Sequence, residues 1–150
     1  MHNLPELKLP PYEAKTKLID GIQHIWDPIR KQHLVLTPEE WVRQHFIQLL
    51  INHLGYPKTL FKIESGHKYN KKQKRSDIEI WRPDASIFML VECKAPSIKI
   101  DESAIKQAAE YNKTLQASYL AVTNGLKHYI WEYKKEHQQY VVLSQFPKYS

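Results

Sequence analysis

The sequence has few of the features that cross-link a chain or anchor it in a membrane. It contains one cysteine, Cys93, so an internal disulfide is excluded and a reducing compartment is expected. No apolar run is long enough to span a bilayer, and no signal-peptide pattern opens the chain. We therefore expect a cytoplasmic protein without membrane contact.

Signatures of several catalytic and binding sites are also missing. There is no Walker loop, helicase motif, internal repeat or zinc-ligand cluster, and the eight histidines lack metal-ligand spacing. The serines and the cysteine lack the context of a catalytic triad. These absences argue against a nucleotide-driven motor, a zinc site and a serine or cysteine hydrolase.

The composition that remains is ordinary for a globular protein, with a positive balance. A length of 150 residues fits one domain with a sizeable core. The formal net charge of +6 favours polyanionic partners such as nucleic acid, without being diagnostic of them.

The most informative stretch is an apolar strand that ends in charge. Ile87–Val91 is an unbroken apolar run, typical of a strand buried on both faces. It continues into Glu92, Cys93 and Lys94. Because side chains alternate along a strand, Glu92 and Lys94 share one face and Cys93 points to the other. Burying such charges costs roughly several kcal/mol each unless they are paired or bind an ion, which indicates a functional site.

A preceding strand supplies a second carboxylate. Asp77 opens a segment in which Ile78 and Ile80 alternate with polar and aromatic residues. The connection, Arg82–Ser86, contains a Pro-Asp pair and is short enough for a hairpin. Neighbouring strands lie about 4.8 Å apart, so Asp77 can sit beside Glu92 if the register allows.

These residues offer hard oxygen ligands. Asp77, Glu92 and the backbone carbonyl of Cys93 suit Mg²⁺, which keeps several waters when it binds protein. Lys94 is then placed to position or deprotonate a water, or to offset charge on a phosphate under attack.

Further short segments surround this core in a fixed order. They are Thr37–Gln44, Gly55–Pro57, Arg75–Ile78, Val91–Pro96, Gln107–Asn112 and Thr123–Gly125. Asp77 with Glu92, Cys93 and Lys94 resembles the D…ExK core of the PD-(D/E)xK nuclease superfamily. The whole series, from about Ile25 to Tyr149, resembles the N-terminal nuclease domain of type I restriction enzyme R (motor) subunits.

The resemblance implies a fold and an activity. The fold would be α/β and restriction-endonuclease-like, a mixed sheet of about five or six strands flanked by two main helices. The activity would be metal-dependent DNA endonuclease cleavage, with Asp77 and Glu92 binding Mg²⁺ or Mn²⁺ and Lys94 assisting a water that attacks phosphorus. We expect residues 37–150 to form this domain and residues 1–36 to form an extended arm packing on it.

The resemblance also implies three further site residues. The first helix of such nucleases often contributes an acidic residue, here Glu40 or Glu39, and we select Glu40. Both glutamates alternatively serve only to cap the helix and complement its dipole. Gln107 and Tyr111 match the QxxxY motif of the RecB-like branch, which implies that they orient Lys94 or touch a phosphate. An aromatic on an apolar helix stripe is, however, usually core.

Local signals predict most of the elements. Thr37 is the expected N-cap of a first helix that Gly55 ends, with a capping box to Glu40. Asp101 is the expected N-cap of a second helix, which connects the Glu92 strand to a parallel partner. The remaining predicted spans are a helix over about Glu102–Leu115 and strands over Thr59–Glu64, Ala117–Val122, Lys127–Tyr133 and Gln139–Leu143.

One loop and several partners complete the predictions. The loop Gly66–Arg75 carries five Lys or Arg residues and is expected to meet DNA phosphates, although a solvated hairpin tip would look similar. R subunits continue into an ATP-driven motor that this sequence does not encode, so we expect independent action, a separate motor or specificity subunit, or a repurposed fold. The alternatives are a non-catalytic DNA-binding or interaction module on the same scaffold, and a dimeric interaction protein with a buried ion network. A homodimer formed through the arm is left open.

Overall fold

The computed structural model describes residues 4–63 and 77–150, which contain two β-sheets and two α-helices. A three-stranded sheet has the order β1-β2-β3, and a six-stranded sheet has the order β4-β5-β6-β7-β8-β9. The predicted basic loop over 66–75 lies outside the described residues. The elements are β1 (Thr16–Ile19), β2 (Ile22–Asp27), β3 (Gln32–Val35), α1 (Pro38–Gln48), β4 (Phe61–Ile63), β5 (Ile78–Trp81), β6 (Ile87–Cys93), α2 (Glu102–Leu115), β7 (Tyr119–Thr123), β8 (His128–Lys134) and β9 (Gln139–Leu143).

The larger sheet is mixed, as predicted. Strands β5 and β6 form the expected antiparallel hairpin, with Ile78 opposite Val91. Strand β7 then pairs parallel to β6 after the crossover through α2, with Val91 beside Ala121. The predicted α/β class, with a six-stranded mixed sheet and two main helices, is confirmed.

The two faces of this sheet pack against different helices. On one face, Val42 and Phe46 of α1 lie in a core cluster with Val91 and Cys93. On the other face, α2 packs over a smaller cluster that includes Leu90. Cys93 is 1% exposed within the α1 core cluster, and burial raises the pKa of its thiol.

The helix boundaries follow their capping residues. Thr37 Oγ1 accepts a hydrogen bond from the Glu40 N–H at 3.0 Å, and Asp101 Oδ1 accepts one from the Ala104 N–H at 3.1 Å. The reciprocal half of the predicted capping box is absent, because the Thr37 N–H donates to the Val35 carbonyl at 3.1 Å. The Glu40 carboxylate is therefore free for other partners.

Two predicted strands differ in the structure. The segment predicted over 59–64 begins as a 3₁₀ turn at Lys58–Leu60, and only Phe61–Ile63 is extended within the described residues. The alternation of apolar and polar residues over 127–133 is typical of an edge strand, but β8 lies between β7 and β9, and β9 forms that edge.

The N-terminal residues contact the turn between β7 and β8 and the first turn of α1. The Lys8 N–H donates to the Gly125 carbonyl at 2.7 Å, and Trp41 Nε1 donates to the Pro5 carbonyl at 3.0 Å. Leu7 is buried in the α1 cluster. The division of the chain at residue 36 stays a prediction. Among the described residues, neither helix has the length and apolar character needed to cross a membrane.

Candidate active site

Asp77 lies directly before β5 and makes hydrogen bonds to the backbone of the two residues that flank Glu92. The Asp77 N–H donates to the Val91 carbonyl at 2.9 Å. Its Oδ2 accepts the Cys93 N–H at 2.7 Å, and its Oδ1 accepts from Arg43 Nη2 at 2.8 Å. Because Val91 and Cys93 flank Glu92, these bonds place Asp77 next to Glu92 across the strand pair.

Glu92 and Lys94 form an ion pair at the end of β6. Lys94 Nζ lies 2.9 Å from Glu92 Oε2, and both side chains are about one quarter exposed. The Lys94 N–H donates to the Thr123 carbonyl of β7 at 2.8 Å, which fixes the strand end. Burial alone would lower the pKa of Lys94, but the bond to Glu92 and the charges of Glu92, Asp77 and Glu39 raise it overall. Lys94 is therefore an ammonium within electrostatic reach of three carboxylates.

Arg43 of α1 joins the helix to the strand pair. Its Nη2 contacts Asp77 Oδ1 and lies 3.2 Å from Glu39 Oε2, while its Nη1 contacts Glu40 Oε1. Burial alone would lower the pKa of Arg43, but the carboxylates of Asp77 and Glu40 raise it. The guanidinium thus remains charged while only 12% of its side chain is exposed.

The two helix glutamates have different surroundings. The Glu40 side chain is 8% exposed, and its Oε2 accepts from Gln44 Nε2 at 2.8 Å. The Glu39 side chain is 47% exposed. Burial and the charge of Asp77 raise the pKa of Glu39, while the positive charges of Arg43 and Lys94 oppose that increase. Glu39 is therefore the more exposed of the two helix carboxylates, and it contacts Arg43.

The ion network continues from α1 into the three-stranded sheet. Asp27 is fully buried and accepts the N–H groups of Ile29 and Arg30 at 2.8 and 3.0 Å. Arg30 Nε also donates to Asp27 Oδ2 at 2.7 Å, and Arg30 Nη2 reaches Glu40 Oε2 at 3.5 Å. Opposite charges therefore alternate along one chain of contacts, through Asp27, Arg30, Glu40, Arg43 and Asp77.

The two residues expected on α2 are placed differently. Tyr111 is half-buried and packs on the cluster of Ile87 and Leu90, the core position that an apolar stripe favours. Gln107 is exposed, and within the described residues its side chain makes no hydrogen bond with any of the three central candidates, Asp77, Glu92 and Lys94. Roles for Gln107 and Tyr111 at the site stay predictions.

The charge of the site fits a divalent cation. Within residues 4–63 and 77–150, no three or more His, Cys, Asp or Glu side chains are grouped to hold a metal ion. Mg²⁺, however, is commonly bound through one or two carboxylates with its remaining positions filled by water. Each Asp77 oxygen keeps a second lone pair beyond its hydrogen bond. The Glu92–Lys94 pair is neutral. In the rest of the network, Arg30 and Arg43 pair with four carboxylates, which are Asp27, Glu39, Glu40 and Asp77. The formal charge of the network is therefore −2, because two positive charges face four negative charges.

Comparison with known proteins identifies the family. A family model described as type I restriction enzyme R protein N terminus matches residues 38–147. The chain belongs to this family. Among solved structures, this chain is similar to a fragment of a protein assigned as the HsdR subunit of a type I restriction enzyme from Vibrio vulnificus YJ016, at 20% sequence identity and a TM-score of 0.49. That match covers 75% of this chain and 24% of the other, so this chain spans about a quarter of its length. No curated protein matches the chain.

Sequence patterns missed the arginines of this site. Arg43 follows Glu40 by three residues and Glu39 by four, so its helix-surface pairing was readable from spacing. Its contact with Asp77 joins residues 34 apart in the chain and depends on how α1 docks on the sheet. No local pattern signals the link from Arg30 to Glu40.

Proposed function

We propose that this restriction R-protein domain is a metal-dependent DNA endonuclease module that hydrolyses phosphodiesters. The observation that carries the proposal is that Asp77 lies beside Glu92 across the β5–β6 pair, where Glu92 is ion-paired with Lys94. Membership of a family of restriction-enzyme R proteins supports it. DNA and a separate motor or specificity subunit are the proposed partners.

Asp77 and Glu92 would hold Mg²⁺ or Mn²⁺, with the Cys93 carbonyl as a third oxygen, as in the PD-(D/E)xK pattern. A bound divalent cation would supply charge stabilisation on the phosphate oxygens and lower the pKa of water. Without a cation, the hydrogen bond to Glu92 and the charges of Glu92 and Asp77 raise the pKa of Lys94, so Lys94 is an ammonium before the metal binds. It would then hold a phosphate oxygen and the attacking water in place.

We further propose that Glu39, rather than Glu40, is the acidic contribution of α1. Glu40 is occupied by Arg43, Gln44 and Arg30. Glu39 is half-exposed and shares the electrostatic environment of Asp77. A carboxylate that retains solvent access can bind a hydrated cation without first breaking a buried ion network.

A second candidate function is a non-catalytic DNA-binding or interaction module on the same scaffold. The observation that favours it is the pairing of the acidic groups within the protein. Arg43 and the Cys93 N–H bind both oxygens of Asp77, while Lys94 binds Glu92. Such a network can be stable without a cation.

Cleavage of supercoiled plasmid with Mg²⁺ or Mn²⁺ separates the two candidates. The variants are Asp77→Asn and Lys94→Ala, with Lys113→Ala as the matched control because Lys113 is 73% exposed on α2. We expect wild type and the control to nick or cut, and both site variants to be slower by about 100-fold or more.

Two other outcomes would decide against cleavage by this site. Equal activity in all four proteins would indicate a contaminant and remove the proposal. Binding of DNA with a steep salt dependence, but without any cleavage, would support the non-catalytic module.

A further inference from the structure

Arg43 is shared by three carboxylates that come from two different elements. One nitrogen, Nη2, contacts both Asp77 and Glu39, and the other, Nη1, contacts Glu40. Glu40 is itself held by Gln44 at 2.8 Å. The contacts with Glu39 and Glu40 of α1 therefore fix the guanidinium in the position from which it binds Asp77.

The Asp77 carboxylate is correspondingly held at both oxygens. Arg43 binds Oδ1 at 2.8 Å, and the Cys93 N–H binds Oδ2 at 2.7 Å. Two directional bonds to opposite oxygens set the plane of the carboxylate as well as its position. A lysine at position 43 would be a point charge on a flexible stem and would lack the planar fork needed for three acceptors.

We propose that Arg43 is a positioning residue for Asp77, which orients this carboxylate before a cation binds and competes with the cation for it. The part that concerns the cation rests on the proposed function. The pairing of Arg43 with Asp77 can be tested without any metal.

Competition and positioning have opposite consequences for two measurable quantities. Loss of the Arg43 charge removes repulsion of a divalent cation, which at a separation of several ångströms corresponds to about tenfold tighter binding. Loss of the Arg43 fork also frees Asp77 to rotate, which slows any reaction that needs its fixed orientation. A merely structural arginine would instead weaken cation binding and activity together.

The first measurement is a double-mutant cycle of urea unfolding in EDTA, with Arg43→Met and Asp77→Asn. The control cycle combines Asp77→Asn with Arg82→Met, because Arg82 follows the far end of β5 and binds Ser118 Oγ at 3.0 Å. We expect a coupling of about tenfold in the unfolding equilibrium constant for Arg43 with Asp77, and additivity in the control. Additivity in both cycles would overturn the proposal. If Arg43→Met does not fold, Arg43→Gln, which also removes the charge, replaces it in the same cycle.

The second measurement is calorimetric titration of wild type, Arg43→Met and Arg43→Lys with Mn²⁺, together with kcat and KM for plasmid cleavage. We expect about tenfold tighter Mn²⁺ binding by Arg43→Met, wild-type affinity within about threefold for Arg43→Lys, and a kcat loss in both. Parallel losses of affinity and kcat would contradict positioning. A wild type that neither binds Mn²⁺ nor cuts DNA would refute the proposed function, while the metal-free cycle still decides whether Arg43 orients Asp77.

Discussion

Adjacent glutamates on α1 provide a matched pair of substitutions, Glu39→Gln and Glu40→Gln. Both changes are isosteric, and both remove one negative charge from the first helical turn. The loss of the favourable helix-dipole interaction, about 0.3–1 kcal/mol, is therefore similar in the two variants. Any larger difference in unfolding free energy between the two variants therefore measures the contribution of the ion network.

The structure predicts a large effect at position 40. Removing one partner of a buried ion pair costs about 3–5 kcal/mol. Glu40 contacts both Arg43 and Arg30, but each arginine keeps another carboxylate, respectively Asp77 and Asp27. We therefore expect a smaller loss, about 2 kcal/mol of unfolding free energy.

The expected effect at position 39 is close to zero. Glu39→Gln weakens one bond to Arg43, at 3.2 Å, but also removes repulsion from Asp77. These opposing changes at a half-exposed side chain should leave the unfolding free energy within about 0.5 kcal/mol of wild type, apart from the shared helix-dipole loss.

Urea unfolding at pH 7 and thermal melting measure this difference. The Glu40 variant should melt about 6 °C below the Glu39 variant, since 1 kcal/mol corresponds to about 3 °C for a domain of this size. Equal stability of the two variants, or a larger loss in Glu39→Gln, would refute the conclusion that Glu40 stabilises the fold through the buried ion network and that Glu39 does not.

Three further predictions concern the pH response and the packing. Burial and the charge of Asp77 raise the pKa of Glu39, so the contribution of Glu39 to stability is full below its unfolded pKa of 4.5 and is lost as the pH rises through its folded pKa. The variant Asp77→Asn should lower the pKa of Glu39 in a carboxyl NMR titration. An unchanged pKa would exclude electrostatic coupling between Glu39 and Asp77. Gly125→Ala should lower the free energy of unfolding in urea by about 2–3 kcal/mol, because φ is +85° and a Cβ would lie 2.8 Å from the buried side chain of Leu7. Gly21→Ala, where φ is +78° and no atom lies within 4 Å of the added Cβ, should cost only about 1 kcal/mol. Equal losses would show that the Leu7 side chain moves aside without cost. Asn112→Ala should lower the free energy of unfolding by about 2–3 kcal/mol in the same assay, because Asn112 is fully buried and its Oδ1 accepts the Ala117 N–H at 2.8 Å. A loss of less than about 0.5 kcal/mol would contradict this role of Asn112.

The parts of the fold that could be predicted are those with a strong local period or cap. The apolar run into Glu92 became β6, and Asp101 with the apolar stripe behind it predicted the helix bounds Glu102–Leu115. The short Pro-Asp connection predicted the hairpin, and its register brought Asp77 next to Glu92. In each case the signal and the structure involve neighbouring residues.

The parts that were missed depend on contacts between distant segments. Alternation assigns the faces of a strand but not its neighbours, so it does not predict that β8 lies inside the sheet. The strands of the N-terminal sheet are short, every residue of β1 is exposed, and β2 has only two buried residues, Ile25 and Asp27, so the buried pattern is too short to predict a sheet. Arg43 reaches Asp77 only because α1 docks beside the β5–β6 hairpin, and the sequence contains no local sign of that docking.

The central claim is that Asp77 and Glu92 share one divalent cation. Anomalous scattering from a crystal soaked in Mn²⁺ tests it most directly. The prediction is a single strong peak within coordination distance, about 2.1 Å for a magnesium-sized ion, of a carboxylate oxygen of each residue. A crystal at saturating Mn²⁺ with no peak there, and with Arg43 and Lys94 still paired to the two carboxylates, would contradict the account.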